Sequence, residues 1–148
     1  MKRWIPVAIV AGAIFAINLA GRIYTDFFVS DDDVHSQNLL GVIAASGMAL
    51  VALVAGIVWS IRASMRHLVA YLGSGLLVGT VLAVFVGPLL LGGNPFGGGA
   101  NLVIAELLMF FGFAVVAAFV GYLVTTALGI DHRGKRLKQM ESYYGRRR

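Results

Sequence analysis

The sequence predicts an all-α integral membrane protein, a four-transmembrane-helix bundle with its N-terminus and C-terminus in the cytoplasm. Three observations carry that expectation. Hydrophobic residues make up 59% of the 148-residue chain and charged residues 13%. Soluble domains have about 45–50% and about 25%, so this chain lacks the polar surface that a water-facing fold requires. The apolar residues fall in four uninterrupted runs, 4–21, 39–61, 68–91 and 102–130, of 18, 23, 24 and 29 residues. Each reaches the roughly 18 residues that can cross a bilayer as a helix with every backbone hydrogen bond made internally. Finally, alternating spans place Lys2, Arg3, Arg62, Arg66, Arg133, Lys135, Arg136, Lys138, Arg146, Arg147 and Arg148 on one side and Arg22 alone on the other. Short loops rich in Lys and Arg stay in the cytoplasm, which leaves the loops 22–38 and 92–101 facing outward.

Residues 1–130 therefore form the transmembrane domain and 131–148 a basic cytoplasmic tail. Little chain is left for a soluble catalytic domain. The absence of cysteine removes disulfides, thiolate metal sites and cysteine nucleophiles from consideration. No Ser/His/Asp arrangement or carboxylate pair can be assembled either, so the expectation is a protein that is not an enzyme and needs no cofactor.

The first run, "WIPVAIVAGAIFAINLAG", follows a charged start and has the outline of a secretory signal. Asn18 stands where a cleavage site after Ala20 would want a small residue, so the run is expected to remain as a span. Small residues recur at Ala8, Gly12, Ala16 and Ala20. Because lipid tails are as apolar as leucine, helices in a bilayer associate by close backbone approach along such stripes. Asn18 lies about 8 Å from the centre of the run and needs a partner; Arg22 is one turn further on the same face.

The stretch "FFVSDDDVHSQN" offers Asp31, Asp32, Asp33 and His35 as hard ligands. Consecutive side chains diverge, however, and Ser30 followed by Asp33 resembles a capping box, so helix capping is the expected use. In the second run Gly41, Ala45, Ala49, Ala52, Gly56 and Ser60 advance by three or four residues along one drifting face. The third run has Gly75, Gly79, Ala83 and Gly87, and Pro88 is expected to break the helix and close the span. "GGNPFGGGAN" superficially resembles a phosphate-cradling loop but lacks the Gly-Lys-Ser/Thr ending, and reads as a glycine-rich connector from which Phe96 can reach the interface or a partner. The fourth run has Ala117, Gly121 and Thr125 as its small stripe. Trp4, Trp59, Tyr71 and Tyr122 mark the cytoplasmic interface, and Tyr24, Phe27 and Phe28 the outer one.

Glu106 opens the question of depth. Centred near Val116, the fourth run puts it about 15 Å from the midplane, at the hydrocarbon edge. Asn18, Arg22 and Glu106 are then the natural members of one outer-leaflet polar cluster. The packing residues expected from the stripes are Gly12, Ala45, Gly56, Gly75, Gly79, Gly87 and Gly121. In the tail, Arg133, Lys135, Arg136, Lys138, Arg146, Arg147 and Arg148 face Asp131 and Glu141, a formal +5, suited to anionic lipid headgroups or an acidic partner, with Leu137, Met140 and Tyr144 at helical spacing. Nucleic acid is not an expected partner.

Similarity to the small multidrug exporters ends at size and span number, since their functional carboxylate is in the first helix. Dual-topology fluoride channels match in span number, but the charge asymmetry opposes dual insertion. The reading that remains is a non-enzymatic accessory or scaffold subunit of a larger membrane or envelope complex in the cell (plasma) membrane, in contact with another membrane protein or with itself. The alternative is a small oligomeric transporter or channel with Glu106 as its coupling or selectivity carboxylate.

Overall fold

The computed structural model describes residues 4–29 and 34–132, with Gly134, Lys135, Leu137 and Met140 beyond them. Helix α1 runs Ile5–Phe28, α2 Val34–Arg62, α3 Met65–Val81, a π-helical segment Leu82–Val86, α4 Gly87–Leu90 and α5 Ala100–Ala127. The described residues contain no strand. With α3, the π segment and α4 continuous over Met65–Leu90, four helices are long and apolar enough to cross a membrane. Their outward faces carry large apolar residues, among them Ile9, Leu50, Leu108 and Phe119. On a protein in water that surface would be a severe aggregation liability; around a bilayer span it is the lipid contact. The protein is an integral membrane protein built as a helical bundle.

The helices run alternately up and down. The described ends, Trp4 and Leu128, lie with the α2–α3 turn on one side of the bundle, the termini side, and the end of α1, the start of α2 and the connection 91–99 lie on the distal side. The closest pairs are the two parallel ones, α2 with α5 and α1 with α3, while α1 and α5 sit across from one another. Glycines make both parallel seams. A Cβ on Gly56 would strike the carbonyl of Ala118, and one on Gly121 the carbonyl of Leu53. At the other seam a Cβ on Gly79 would sit 3.0 Å from the Ala11 backbone, and one on Gly75 3.3 Å from the Val7 carbonyl. Without a side chain at these positions the backbones come close enough for dispersion to hold them. Between the seams the core fills with Ile14, Met48, Leu72, Leu76, Val84 and Phe110.

Two packing expectations change. Gly12 is not at a contact: it is exposed, as are Ala8, Ala16 and Ala20, and no atom lies within 4 Å of where its Cβ would be. The face of α1 that packs is instead Val7, Val10, Ala11, Ile14 and Asn18. On α2, Gly41 likewise has open space around it, and Ala45 and Ala49 line a lipid-side groove; Ala45 also touches the core, but the buried seam begins at Ala52 and continues through Gly56 and Ser60. Steps of four residues advance 400°, so a stripe rotates about 40° per step and leaves the contact face.

Pro88 does not close the third span. Its ring removes a donor and crowds the carbonyl four residues back, and the chain accommodates this by widening: Gly87 donates to Leu82, five residues back, and the helix continues to Leu90. The first helix also outruns its apolar stretch, passing Arg22 to end at Phe28. At the far end of α5, Gly129 adopts φ 62°, and Ile130 and Gly129 donate to Thr125 and Thr126. This is the Schellman arrangement that satisfies the last carbonyls of a helix. The residues proposed for a capping box, Ser30 and Asp33, lie outside the described residues, as do Asp31 and Asp32.

Candidate functional site

On the distal side the structure brings three polar residues together. Asn18 and Arg22 are one turn apart on α1, and the Arg22 Nε–H donates to Asn18 Oδ1 at 3.0 Å. The other end of the guanidinium crosses the bundle, where Nη2 donates to Glu106 Oε2 of α5 at 3.1 Å. Asn18 is buried, while the Arg22 and Glu106 side chains are 27% and 32% exposed. Because α1 and α5 are not packed neighbours, this ion pair is a strut between two helices that otherwise meet through α2 and α3.

The third span seats the strut. A Cβ on Gly87 would lie 3.4 Å from Arg22 Cδ, 3.5 Å from its Nε and 3.6 Å from Asn18 Oδ1. A larger side chain there would occupy the path of the guanidinium. Gly87 is thus a packing residue, as its stripe suggests, but what it packs against is a polar group. No property of the third run taken alone reveals this; the signal lies in the register between α1 and the π segment, which sequence does not expose.

Depth follows from helix length. Centred on a hydrocarbon layer of about 30 Å, α5 puts Glu106 about 4 Å inside the boundary and α1 puts Arg22 about 7 Å inside it. Both positions are somewhat deeper than the hydrocarbon edge. In that environment a lone charge is costly, and pairing Arg22 with Glu106 leaves a group of zero net charge whose remaining donors can reach water. Among the described residues no buried side-chain polar atom lacks a partner.

The termini side is organised differently. Ser60 and Thr125, small members of the α2 and α5 stripes, share a buried hydrogen bond of 2.5 Å between their hydroxyls. Thr125 also donates back to Tyr122 of its own helix at 2.8 Å. This interhelical bond is a polar contact that a reading of small residues by size alone misses. Ser64 starts α3 with its hydroxyl on His67 Nδ1 at 2.8 Å rather than on a backbone N–H, and Trp4 meets Tyr71 edge to face, centroids 5.6 Å apart. Asp131 is buried and accepts from the Gly134 N–H at 3.0 Å, capping the start of the tail. Of the tail cations, Lys135 is exposed; Arg133, Arg136, Lys138, Arg146, Arg147 and Arg148 lie outside the described residues.

Two grooves open sideways from the bundle. The larger, of about 900 Å³, runs between α1 and α2 on the termini side; the smaller, of about 500 Å³, lies between α2 and α5 on the distal side and is lined by Gly41, Ala45, Ala49, Met109 and Phe113. In the distal connection, Asn94 Oδ1 accepts from the Phe96 N–H at 2.9 Å, and the Phe96 ring folds onto Phe85 of the π segment, centroids 5.8 Å apart. Compared with known proteins, this integral membrane helical bundle matches no family model, no curated protein and no solved structure.

Proposed function

We propose that the protein is a non-enzymatic accessory or scaffold subunit of a larger membrane or envelope complex, set in the cell (plasma) membrane with both termini and the basic tail in the cytoplasm. The observation that carries the reading is the closed polar network. Glu106 is engaged by Arg22 and Arg22 by Asn18, an arrangement suited to tying helices together. Large apolar residues cover much of the remaining lateral surface, and the two grooves described above suit neighbours such as another membrane protein, a second copy of the chain, or lipid. Purification from native membranes in mild detergent should recover a second protein in fixed proportion. Recovery of the chain alone in every detergent would overturn the proposal.

The orientation rests on eleven cations on one side against Arg22 on the other. Reporter fusions after Arg148 and within Ser64 to Arg66 should read cytoplasmic, and fusions within Asp31 to Ser36 and Gly97 to Gly99 external. An external C-terminus would reverse the assignment.

A second reading, a small oligomeric transporter or channel with Glu106 as its coupling or selectivity carboxylate, is favoured by one feature. The ion pair is partly exposed and lies beside the π segment Leu82–Val86, and π segments inside α-helices recur at functional sites. Crosslinking that traps a homo-oligomer, together with a flux in vesicles that Glu106→Gln abolishes while assembly stays intact, would establish this reading in place of the first.

A further inference from the structure

We propose that the groove between α1 and α2 is a binding site for one anionic phospholipid, with an acyl chain along the groove and the phosphate at its mouth. On the distal side α1 and α2 are in close contact: a Cβ on Gly21 would lie 3.2 Å from Ala44 Cβ, and one on Gly47 3.1 Å from Ile17. Towards the termini side the helices part, and the gap is walled by Ile9 and Ala13 of α1 and Val54 and Val58 of α2. Its mouth is formed by Arg62, Ser64, His67 and His132.

Size, polarity and charge select the occupant. From Leu50 to Arg62 the α2 wall is about 18 Å long, comparable with the ~15 Å that one leaflet contributes to the hydrocarbon core. The groove volume of about 900 Å³ leaves room for an acyl chain, and the length of the wall favours an extended occupant over a compact solute. Arg62 ends α2 and makes no ion pair among the described residues, whereas Arg22 is paired. When the Ser64 hydroxyl donates to His67 Nδ1, the ring proton is on Nε2, a second donor for an anion. A helix from a partner would fill the apolar walls but leave these donors unanswered; a phosphate on an acyl chain answers both. This assignment does not depend on the accessory role, since it concerns the chain alone in a bilayer.

Trp59 lines the groove, and of the two tryptophans the other, Trp4, can be replaced by Phe to leave it as the sole reporter. The Trp4→Phe protein is reconstituted in phosphatidylcholine vesicles containing, as a minor component, either phosphatidylglycerol or phosphatidylcholine brominated near the top of the acyl chain. Brominated phosphatidylglycerol should quench Trp59 at a several-fold lower mole fraction than brominated phosphatidylcholine. Arg62→Gln should reduce that preference about fivefold, the contribution of one basic residue at a membrane surface. Ala13→Phe, which fills the groove and leaves the mouth intact, should abolish it.

Equal quenching by the two lipids would overturn the proposal. So would a preference that survives Ala13→Phe, which means surface attraction only, or one that survives Arg62→Gln. Trp59 shielded from both lipids in a crosslinkable dimer would assign the groove to a second copy instead. Should Ala13→Phe fail to reconstitute, Val54→Phe on the facing wall fills the groove in its place, and the same outcomes decide.

Discussion

Arg22 and Arg62 lie at opposite ends of the bundle and have opposite surroundings. Arg22 is held by Asn18 and Glu106, and around it α1, α2 and the third span converge. Arg62 stands at the lip of an opening between α1 and α2 and makes no ion pair among the described residues. The same residue type thus ties the bundle at one end and is offered outward at the other. The difference follows from helix separation: where backbones touch, a charge must find its partner within the protein, and where they part it can face headgroups or water.

Six substitutions break or sharpen that contrast. The largest effect should come from Gly121→Leu, because the added side chain meets the Leu53 carbonyl and the Ile57 backbone. It would separate α2 from α5 and leave both ends without a frame. Overpacking of this kind costs about 1–3 kcal/mol and sometimes more, so the detergent-solubilised protein should aggregate at a clearly lower temperature. Unchanged behaviour would mean that the α2·α5 seam is not the main support.

Next comes the comparison of the two arginines. Arg22→Ala leaves the Glu106 carboxylate and the Asn18 amide without their partner and should cost about 1–3 kcal/mol; Arg62→Ala should stay within about 0.5 kcal/mol, as surface changes do. Both are measured by resistance to thermal aggregation, and equal losses would erase the distinction drawn between the two ends.

At the other end of the strut, Glu106→Gln keeps an acceptor for Arg22 and should be tolerated with a loss of less than about 1 kcal/mol, while Glu106→Leu removes the acceptor and should be mildly harmful. Expression and assembly of the two variants test this, and a Gln variant as damaged as the Leu variant would require the charge itself. The smallest effect belongs to Gly12→Leu. Open space surrounds that position, so a lipid-facing leucine should be accepted without loss of heat resistance; damage there would place a contact on a face that has none in the isolated chain.

Particular residues show what was legible in advance. Asn18 and Arg22 could be paired from their spacing, because four residues bring side chains onto one helix face, and alternation of the spans put Glu106 on the same side. Gly75, Gly79 and Gly121 occupy the seams, yet Gly12, with an equally good stripe, faces outward. A stripe records where a helix is thin, and whether another helix uses that face depends on how the two are rotated about their axes. Pro88 misleads for a related reason: its local effect is to break a helix, but a π turn upstream absorbed it and kept the span intact.

The sequence by itself determined the class of object, four spans and their alternation, because the requirement that a backbone in lipid bond only to itself acts on each run separately. It also determined which residues carry charge. Only the tertiary structure decided that Arg22 reaches Glu106 across two non-neighbouring helices, that Gly87 seats it, and that α1 and α2 part towards Arg62. These depend on relative rotation and tilt of whole helices, set by the sum of many small packing contacts, and no single segment contains that sum.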